Sequence, residues 1–453
     1  MSNPFSRGQD PGSPRILFLI PPFYSHFAPM FTLAKEFSRE GWRAIVGTGE
    51  AFEQEVAAAS LIHEKVIISR NANTGIAEKT RQAEEEQERL EAFFQATHQG
   101  PEETLLVQSR HRRADMLSDP EGLMKQIRLL EGKHQPDLWV VDQLSYGATL
   151  ALRCLDLPFI TFCPPHPFSI PSEDGLFGVP VRWPAAFRPD AEKMAELETV
   201  AEDVRRTFTD FFNESLEHHG QPPVKNAFSL TSSLAVVYNY PPTPLVMAQD
   251  THGRRKKIFA GYCFQPQALP PDWEEKIRLF RQGRPRILLS FGTFLSRRSD
   301  LLEKCVRWIR HTYPDGSLVV AAGGNLEDLR HLREEQVLVE AFIPQAALYP
   351  EVDLVIHHGG CNTFTESLYH GKPMIILPFS SDQFHIGADG EEMGVARVLV
   401  PNEMTREGLA RELEGMLTPA TLERSRDWQG VTRRRGPAFA CQEVIRGWET
   451  HWR

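Results

Sequence analysis

The sequence predicts an α/β protein of two Rossmann-like, doubly wound domains facing each other across a cleft. Three observations carry that expectation. Short apolar, β-rich runs alternate with amphipathic helical stretches along most of the chain. The alternation starts twice, with RILFLIP at 15–21 and again with RILLSFGTF at 286–294. And 453 residues exceed what one hydrophobic core organises. The expected boundaries are a disordered leader at 1–13, a first domain at 14–263 with a helical insertion at about 78–131, a linker at 264–283, a second domain at 284–430 and a C-terminal helix at 431–453.

Each element has a local reason. Residues 1–13 are rich in Ser, Gly and Pro. The run 15–21 is a strand, PFYSH (22–26) a turn, and 27–39 an amphipathic helix with Met30, Leu33, Ala34 and Phe37 on one face. Gly41 ends it, and RAIVGTG (43–49) is the next strand. From 77 to 131 charges dominate, which predicts solvated helices with apolar stripes such as Leu90, Phe93 and Phe94. The alternative there is a helical cover over a cleft. PDLWVVDQ (136–143) is a strand ending in Asp142, followed by a small-residue helix near 146–155, strand FITFC (159–163) and the rigid loop PPHPFSIP (164–171). Residues 190–219 read as helix, and 234–242 and 256–263 as the last strands of the first half. The Pro-rich stretch 265–276 reads as a linker. In the second half 286–294, 317–324, 337–345 and 396–402 contain strands, and 404–417 and 420–449 read as helices.

The most informative stretch is VDLVIHHGGCNTFTESLYHGKPMIILPFSSDQ at 352–383. It reads as strand, glycine turn, helix over 362–369, strand and loop. Gly359 and Gly360 allow a tight turn and a close backbone approach. A helix start after such a turn presents free N–H groups and a partial positive charge, which suits phosphate. His358, Asn362, Thr363 and Glu366 surround that point, and the next strand delivers Asp382 and Gln383. His357 and His358 alternate faces, so one of them turns to the ligand; His358 is the expected one.

Composition narrows the function classes. The net charge of −10, from 60 acidic and 50 basic residues, disfavours a nucleic-acid binder. Six scattered cysteines form no CxxC pair, so neither a zinc site nor a disulfide framework is expected, and a reducing cytoplasm fits. No run is long enough to span a membrane, and the N-terminal residues lack the order of a signal peptide. The expected location is cytoplasmic, without integral membrane association. Oligomeric state stays open.

These residues resemble the family 1 glycosyltransferases, enzymes of the GT-B fold that glycosylate small molecules from nucleotide sugars. The donor signature at 358–383 carries most of the resemblance. FIPQ (342–345), SFGT (290–293), SHFAPM (25–30) and VVD (140–142) resemble other family segments in the family's order. Ser25 stands where a glycine is common, and Cys361 and Phe342 stand where plant members often have Trp. The resemblance implies an acceptor-binding first domain, a donor-binding second domain and a C-terminal helix that crosses back onto the first. It implies that His358, Gly360, Asn362, Thr363 and Thr293 hold the diphosphate, that Glu366 takes the ribose, that Phe342 and Gln345 meet base or ribose, and that Asp382 and Gln383 hold the sugar. His26 would be the catalytic base and Asp142 its partner, although an aspartate at a strand end also suits a helix cap. No cofactor or metal is implied; a UDP- or dTDP-sugar is the co-substrate and a small molecule the acceptor. The acceptor pocket is expected from Phe23, Tyr24, Phe27, Phe93, Phe94, His166, Phe168 and Trp183.

The chemistry suits these residue types. A nucleotide sugar carries its own leaving group, and the acceptor hydroxyl must shed a proton as it attacks. A carboxylate on the second imidazole nitrogen fixes the tautomer and stabilises the imidazolium. A base opposite the leaving group implies inversion. Rival expectations are a lipid-linked sugar transferase, a nucleotide-sugar epimerase or a non-catalytic nucleotide-sugar-binding protein.

Overall fold

The structure is a computed structural model. It describes residues 12–68, 84–115, 119–248 and 256–452, with the backbone alone for 84–87, 113–115, 293 and 294. The expected leader, apart from its last two residues, lies outside the described residues, as do 78–83 and 116–118 of the insertion.

Among the described residues, thirteen strands form two parallel sheets. In the first sheet β1 (Arg15–Leu19), β2 (Arg43–Thr48), β3 (Ile62–Lys65), β4 (Leu138–Asp142), β5 (Phe159–Cys163), β6 (Ala235–Tyr238) and β7 (Lys256–Phe259) lie in the order β3-β2-β1-β4-β5-β6-β7. In the second, β8 (Arg286–Ser290), β9 (Ser317–Ala321), β10 (Val337–Glu340), β11 (Leu354–His357), β12 (Met374–Ile376) and β13 (Ala396–Val398) lie in the order β10-β9-β8-β11-β12-β13. The central strands are buried along their length because helices cover both faces, which explains their continuous apolar runs.

Each sheet reverses its winding once, between β1 and β4 and between β8 and β11. At such a reversal the connections leave in opposite directions and open a crevice beyond the strands' carboxyl ends. β4 ends in Asp142, and the segments after β1, β8 and β11 carry His26, Gly292 and His358. The topology alone therefore brings the motif residues to the two crevices.

Three elements differ from the sequence expectation. β3 was not expected: its sequence IHEK is an edge strand without full burial, so it lacks an apolar signature. The expected linker 264–283 contains a helix, Pro271–Phe280, whose Trp273, Ile277 and Phe280 are buried in a core shared with the second sheet. Its proline sits in the first turn, where a missing N–H costs nothing. The expected helix 420–449 is two helices, Pro419–Arg433 and Pro437–Gly447. They break at Gly436, whose φ of +111° favours glycine and whose N–H donates to Ala260 O at 2.6 Å. The second of these helices packs on the first-domain helix Tyr24–Arg39, with Trp448 edge-on to Trp42 at 4.8 Å. No helix of the described residues is long and apolar enough to cross a membrane.

The insertion forms the helices Glu84–Gln99, Pro101–Asp115 and Pro120–His134. The first reaches the second domain. Thr97 O accepts from Arg298 at 3.0 Å and from Asn402 at 2.9 Å, and the Arg297 guanidinium lies 4.4 Å from the Phe94 ring centroid. Leu90, Phe93, Gln108 and His111 line the cleft, so the insertion covers it as well as facing solvent. Arg298 is 2% exposed, and its loss would leave the Thr97 carbonyl and Asn402 short of a buried donor. Arg298→Ala is expected to cost about 2 kcal/mol and to speed amide exchange across 88–99. Wild-type exchange in that helix would contradict the anchoring role.

A candidate active site between the two sheets

The two crevices merge into one cavity of about 1790 Å³ lined from both domains. On the first-domain side the carboxyl end of β1 runs through a short turn into the helix Tyr24–Arg39, which places His26 in the first helical turn. The adjacent β4 ends in Asp142. His26 Nδ1 lies 2.8 Å from Asp142 Oδ2. Asp142 is fully buried and its other oxygen accepts the Leu144 N–H at 2.8 Å. Asp142 thus holds the turn behind it and the imidazole in front. The Nδ1 proton points at the carboxylate, which leaves Nε2 as the basic atom. The His26 side chain keeps 16% exposure, so a substrate can reach it. Burial alone would pull the imidazolium down; the charge of Asp142 and its hydrogen bond outweigh that, so the His26 pKa is raised above the usual 6.5.

On the other side the helix Cys361–His370 begins at Gly360, and no side chain caps its start. Its first N–H groups are left for a ligand. His358 lies beside this start. A Cβ at Gly360 would come within 2.7 Å of its Nε2, and one at Gly292 within 3.0 Å of its Cε1, so both glycines exist for close approach. Burial pushes the His358 pKa down to about 4, so the ring is neutral, and its Nδ1 is buried without a partner among the described residues. His357 faces away; it is fully buried and its Nδ1 accepts the Gly359 N–H at 3.1 Å.

One turn further, Glu366 accepts from Gln345 Nε2 at 3.0 Å, and the same amide reaches Thr363 Oγ1 at 3.2 Å. Burial raises the Glu366 pKa to about 7, against the hydrogen bonds that lower it. Phe342 is 65% exposed at the cavity edge, an open ring face for a planar group. Asp382 lines the cavity, and burial raises its pKa. Gln383 also lines it, but its Oε1 is held by the N–H groups of Phe379 and Ser380 at 2.9 and 3.2 Å. Thr293 lies in the short helix Gly292–Leu295; its side chain is outside the described residues.

Not every expected acceptor residue reaches the cavity. Phe23, Tyr24, Phe93 and Phe168 line it. Phe27 also touches it, but is 3% exposed and stacks between Phe52 and Phe31 at 4.0 and 4.8 Å, which makes it mainly core. Phe94 is buried under Arg297. Trp183 packs on Phe384 at 4.6 Å in the domain interface. His166 is fully buried, with its ring on Asp389 rather than on the pocket. In each case an aromatic or imidazole ring gains more from burial against a neighbouring element than from a wet cavity wall.

Sequence reasoning missed Asn239. It follows β6 and donates to Asn362 Oδ1 at 2.9 Å, while Asn362 Nδ2 donates to Ser25 O at 3.0 Å. This chain ties the uncapped helix start to Ser25, the residue before His26. An asparagine closing the apolar run AVVY was the readable signal.

The family described as "Erythromycin biosynthesis protein CIII-like, C-terminal domain" matches residues 311–427. The chain is 29% identical to demethyllactenocin mycarosyltransferase of Streptomyces fradiae over 233 residues, 51% of this chain and 49% of that enzyme. That alignment spans about half of the relative's length. It is 24% identical to zeaxanthin glucosyltransferase of Pantoea ananas over 441 residues, covering 94% of each. The crystal structure of glycosyltransferase VinC in complex with dTDP superposes with a TM-score of 0.63 at 18% identity, covering 96% of this chain and 99% of that one. That last likeness speaks for the fold, two facing domains of the GT-B type.

Proposed function

We infer that this chain, a microbial natural-product type family 1 glycosyltransferase of the GT-B fold, transfers a sugar with inversion from a nucleoside diphosphate donor to a hydroxyl of a small-molecule acceptor. The observation that carries this reading is the His26–Asp142 pair, 2.8 Å apart, in the same cavity as the uncapped helix start at Gly360. A protein that only bound a nucleotide sugar would need the second feature and not the first.

In the proposed reaction His26 Nε2 takes the acceptor's hydroxyl proton as that oxygen attacks the anomeric carbon. The bond from the anomeric carbon to the diphosphate oxygen breaks, and its electron pair leaves with the diphosphate. Asp142 keeps the Nδ1 proton in place and stabilises the imidazolium that forms. The N–H groups at 361–363 and His358 meet the charge growing on the leaving group. Glu366 accepts the ribose hydroxyls, Phe342 and Gln345 meet the base, and Asp382 and Gln383 meet the sugar. Phe23, Tyr24, Phe93 and Phe168 form the apolar part of the acceptor pocket. The dTDP bound in the VinC crystal structure favours a dTDP-sugar among the donors. A screen of UDP- and dTDP-sugars against hydroxylated natural-product scaffolds, read by mass, tests the reading; hydrolysis or isomerisation of donor without any conjugate would count against it.

The base role fixes a pH profile. His26 must be neutral to accept a proton, and its pKa is raised above 6.5. The acid limb of kcat/KM is therefore expected above pH 6.5, with activity falling as pH drops through it. Asp142→Asn removes the charge and the carboxylate hydrogen bond, the two largest contributions that raise the pKa, and leaves the weaker pull of Asp382 against the burial that lowers it. The residual activity of that variant is expected to show its acid limb at lower pH. A limb that stays in place would contradict the pairing.

A further inference from the structure

His166 belongs neither to the dyad nor to the donor cradle, yet it is fully buried and bonded at three points. It lies where the loop after β5 meets the helix Gln383–Glu392 of the other domain. Its Nδ1 accepts the Phe168 N–H at 3.1 Å, so the ring proton sits on Nε2. That nitrogen donates to Asp389 Oδ2 at 3.0 Å, an oxygen that also accepts from the Thr243 hydroxyl at 2.9 Å. The His166 backbone N–H donates to Asp382 Oδ2 at 2.9 Å. Asp382 and Asp389 are about two helical turns apart, on one face of the helix. A single residue therefore spans both carboxylates, its ring on one and its backbone on the other. The rings of His385 and Tyr240, at 5.2 and 4.7 Å, hem the imidazole in.

Asp382 occupies the cap position of its helix but makes no capping bond. Its carboxylate is instead directed by a backbone from the opposite domain. A buried His–Asp pair adds little net stability over an apolar pair of the same shape. What it supplies is a fixed position for the His166 backbone.

We propose that His166 is a positioning residue for the transferred sugar: anchored on Asp389, it holds Asp382 in one orientation, with the second carboxylate oxygen left for a sugar hydroxyl. This rests on the reading of Asp382 as a sugar-binding group. It makes the sugar subsite a joint product of both domains, formed only when the loop and the helix are docked.

The test compares two ligands by calorimetry with the full chain: the nucleoside diphosphate (UDP or dTDP, whichever binds) and its glucose conjugate. Asp382→Ala is expected to weaken the conjugate about tenfold relative to the diphosphate alone, the scale of a charge-assisted hydrogen bond. An unchanged ratio there would overturn the reading of Asp382 itself. His166→Ala is expected to produce the same selective loss. His166→Asn, which keeps the bond to Phe168 but falls short of Asp389, should behave like the alanine variant and guards against its failing to fold. His166→Gln, which can reach Asp389, should restore the ratio to within about threefold. If Asp382→Ala shifts the ratio and neither His166→Ala nor His166→Asn does, the positioning role is overturned. Equal loss of both ligands in all three His166 variants would overturn it too, since it would mark a merely structural residue.

Discussion

Replacing His26 with alanine is expected to lower sugar transfer by about a thousandfold while leaving nucleoside diphosphate affinity within about twofold of wild type. The separation follows from the geometry. His26 stands on the first-domain wall, hydrogen-bonded to Asp142, and the uncapped helix start proposed to meet the diphosphate stands on the second. Removing the imidazole deletes the proton acceptor without touching the cradle. The buried Asp142 then loses one of its partners but keeps the Leu144 N–H, so the fold should persist. Measuring turnover and diphosphate binding on the same preparation decides the matter. Parallel loss of both would mean that the variant had disturbed the cleft; unchanged turnover would remove His26 from the mechanism.

The second large effect is expected at Glu366, with about a hundredfold weaker nucleoside diphosphate binding in Glu366→Ala, the scale of two hydrogen bonds from a ribose diol to a carboxylate. Gln345 already holds one carboxylate oxygen at 3.0 Å, which orients the group before a ligand arrives. Burial has raised its pKa to about 7, so Glu366 is a partly protonated acid near neutrality. Binding that needs the carboxylate must then release a proton, and affinity should fall as pH drops below about 7. The sign for stability is the opposite: a folded-state pKa above the unfolded value favours the fold at low pH, and this contribution is lost as pH rises through about 7. Glu366→Gln cannot titrate and should lose that pH dependence of binding. Wild-type affinity in the alanine variant would exclude the ribose role.

The geometry of the proposed donor half was legible because its signals are local. A buried strand, two glycines, a helix start and a following strand occupy one continuous stretch, and the fold brings them together by adjacency alone. The dyad was legible in a different way. His26 and Asp142 are 116 residues apart, yet both lie at the carboxyl ends of strands of one sheet, and adjacent β1 and β4 make them neighbours. The acceptor side was not legible to the same extent. Whether Phe93 faces a cavity while Phe94 is buried under Arg297 depends on how an insertion docks on another domain, which no local pattern encodes. His166 was read as a pocket residue from its loop position, whereas its ring finds a carboxylate some 220 residues away in sequence. The helix Pro271–Phe280 was hidden by the prolines before it, although Trp273, Ile277 and Phe280 already had helical spacing.

Single displacement requires His26 on the side of the sugar opposite the leaving diphosphate and inverts the anomeric carbon. The anomeric configuration of the product tests that claim most directly. With an α-configured donor such as a nucleoside diphosphate α-glucose, proton NMR of the isolated conjugate should show the large diaxial H1–H2 coupling of a β-glucoside. A small coupling, diagnostic of the retained α-anomer, would contradict it.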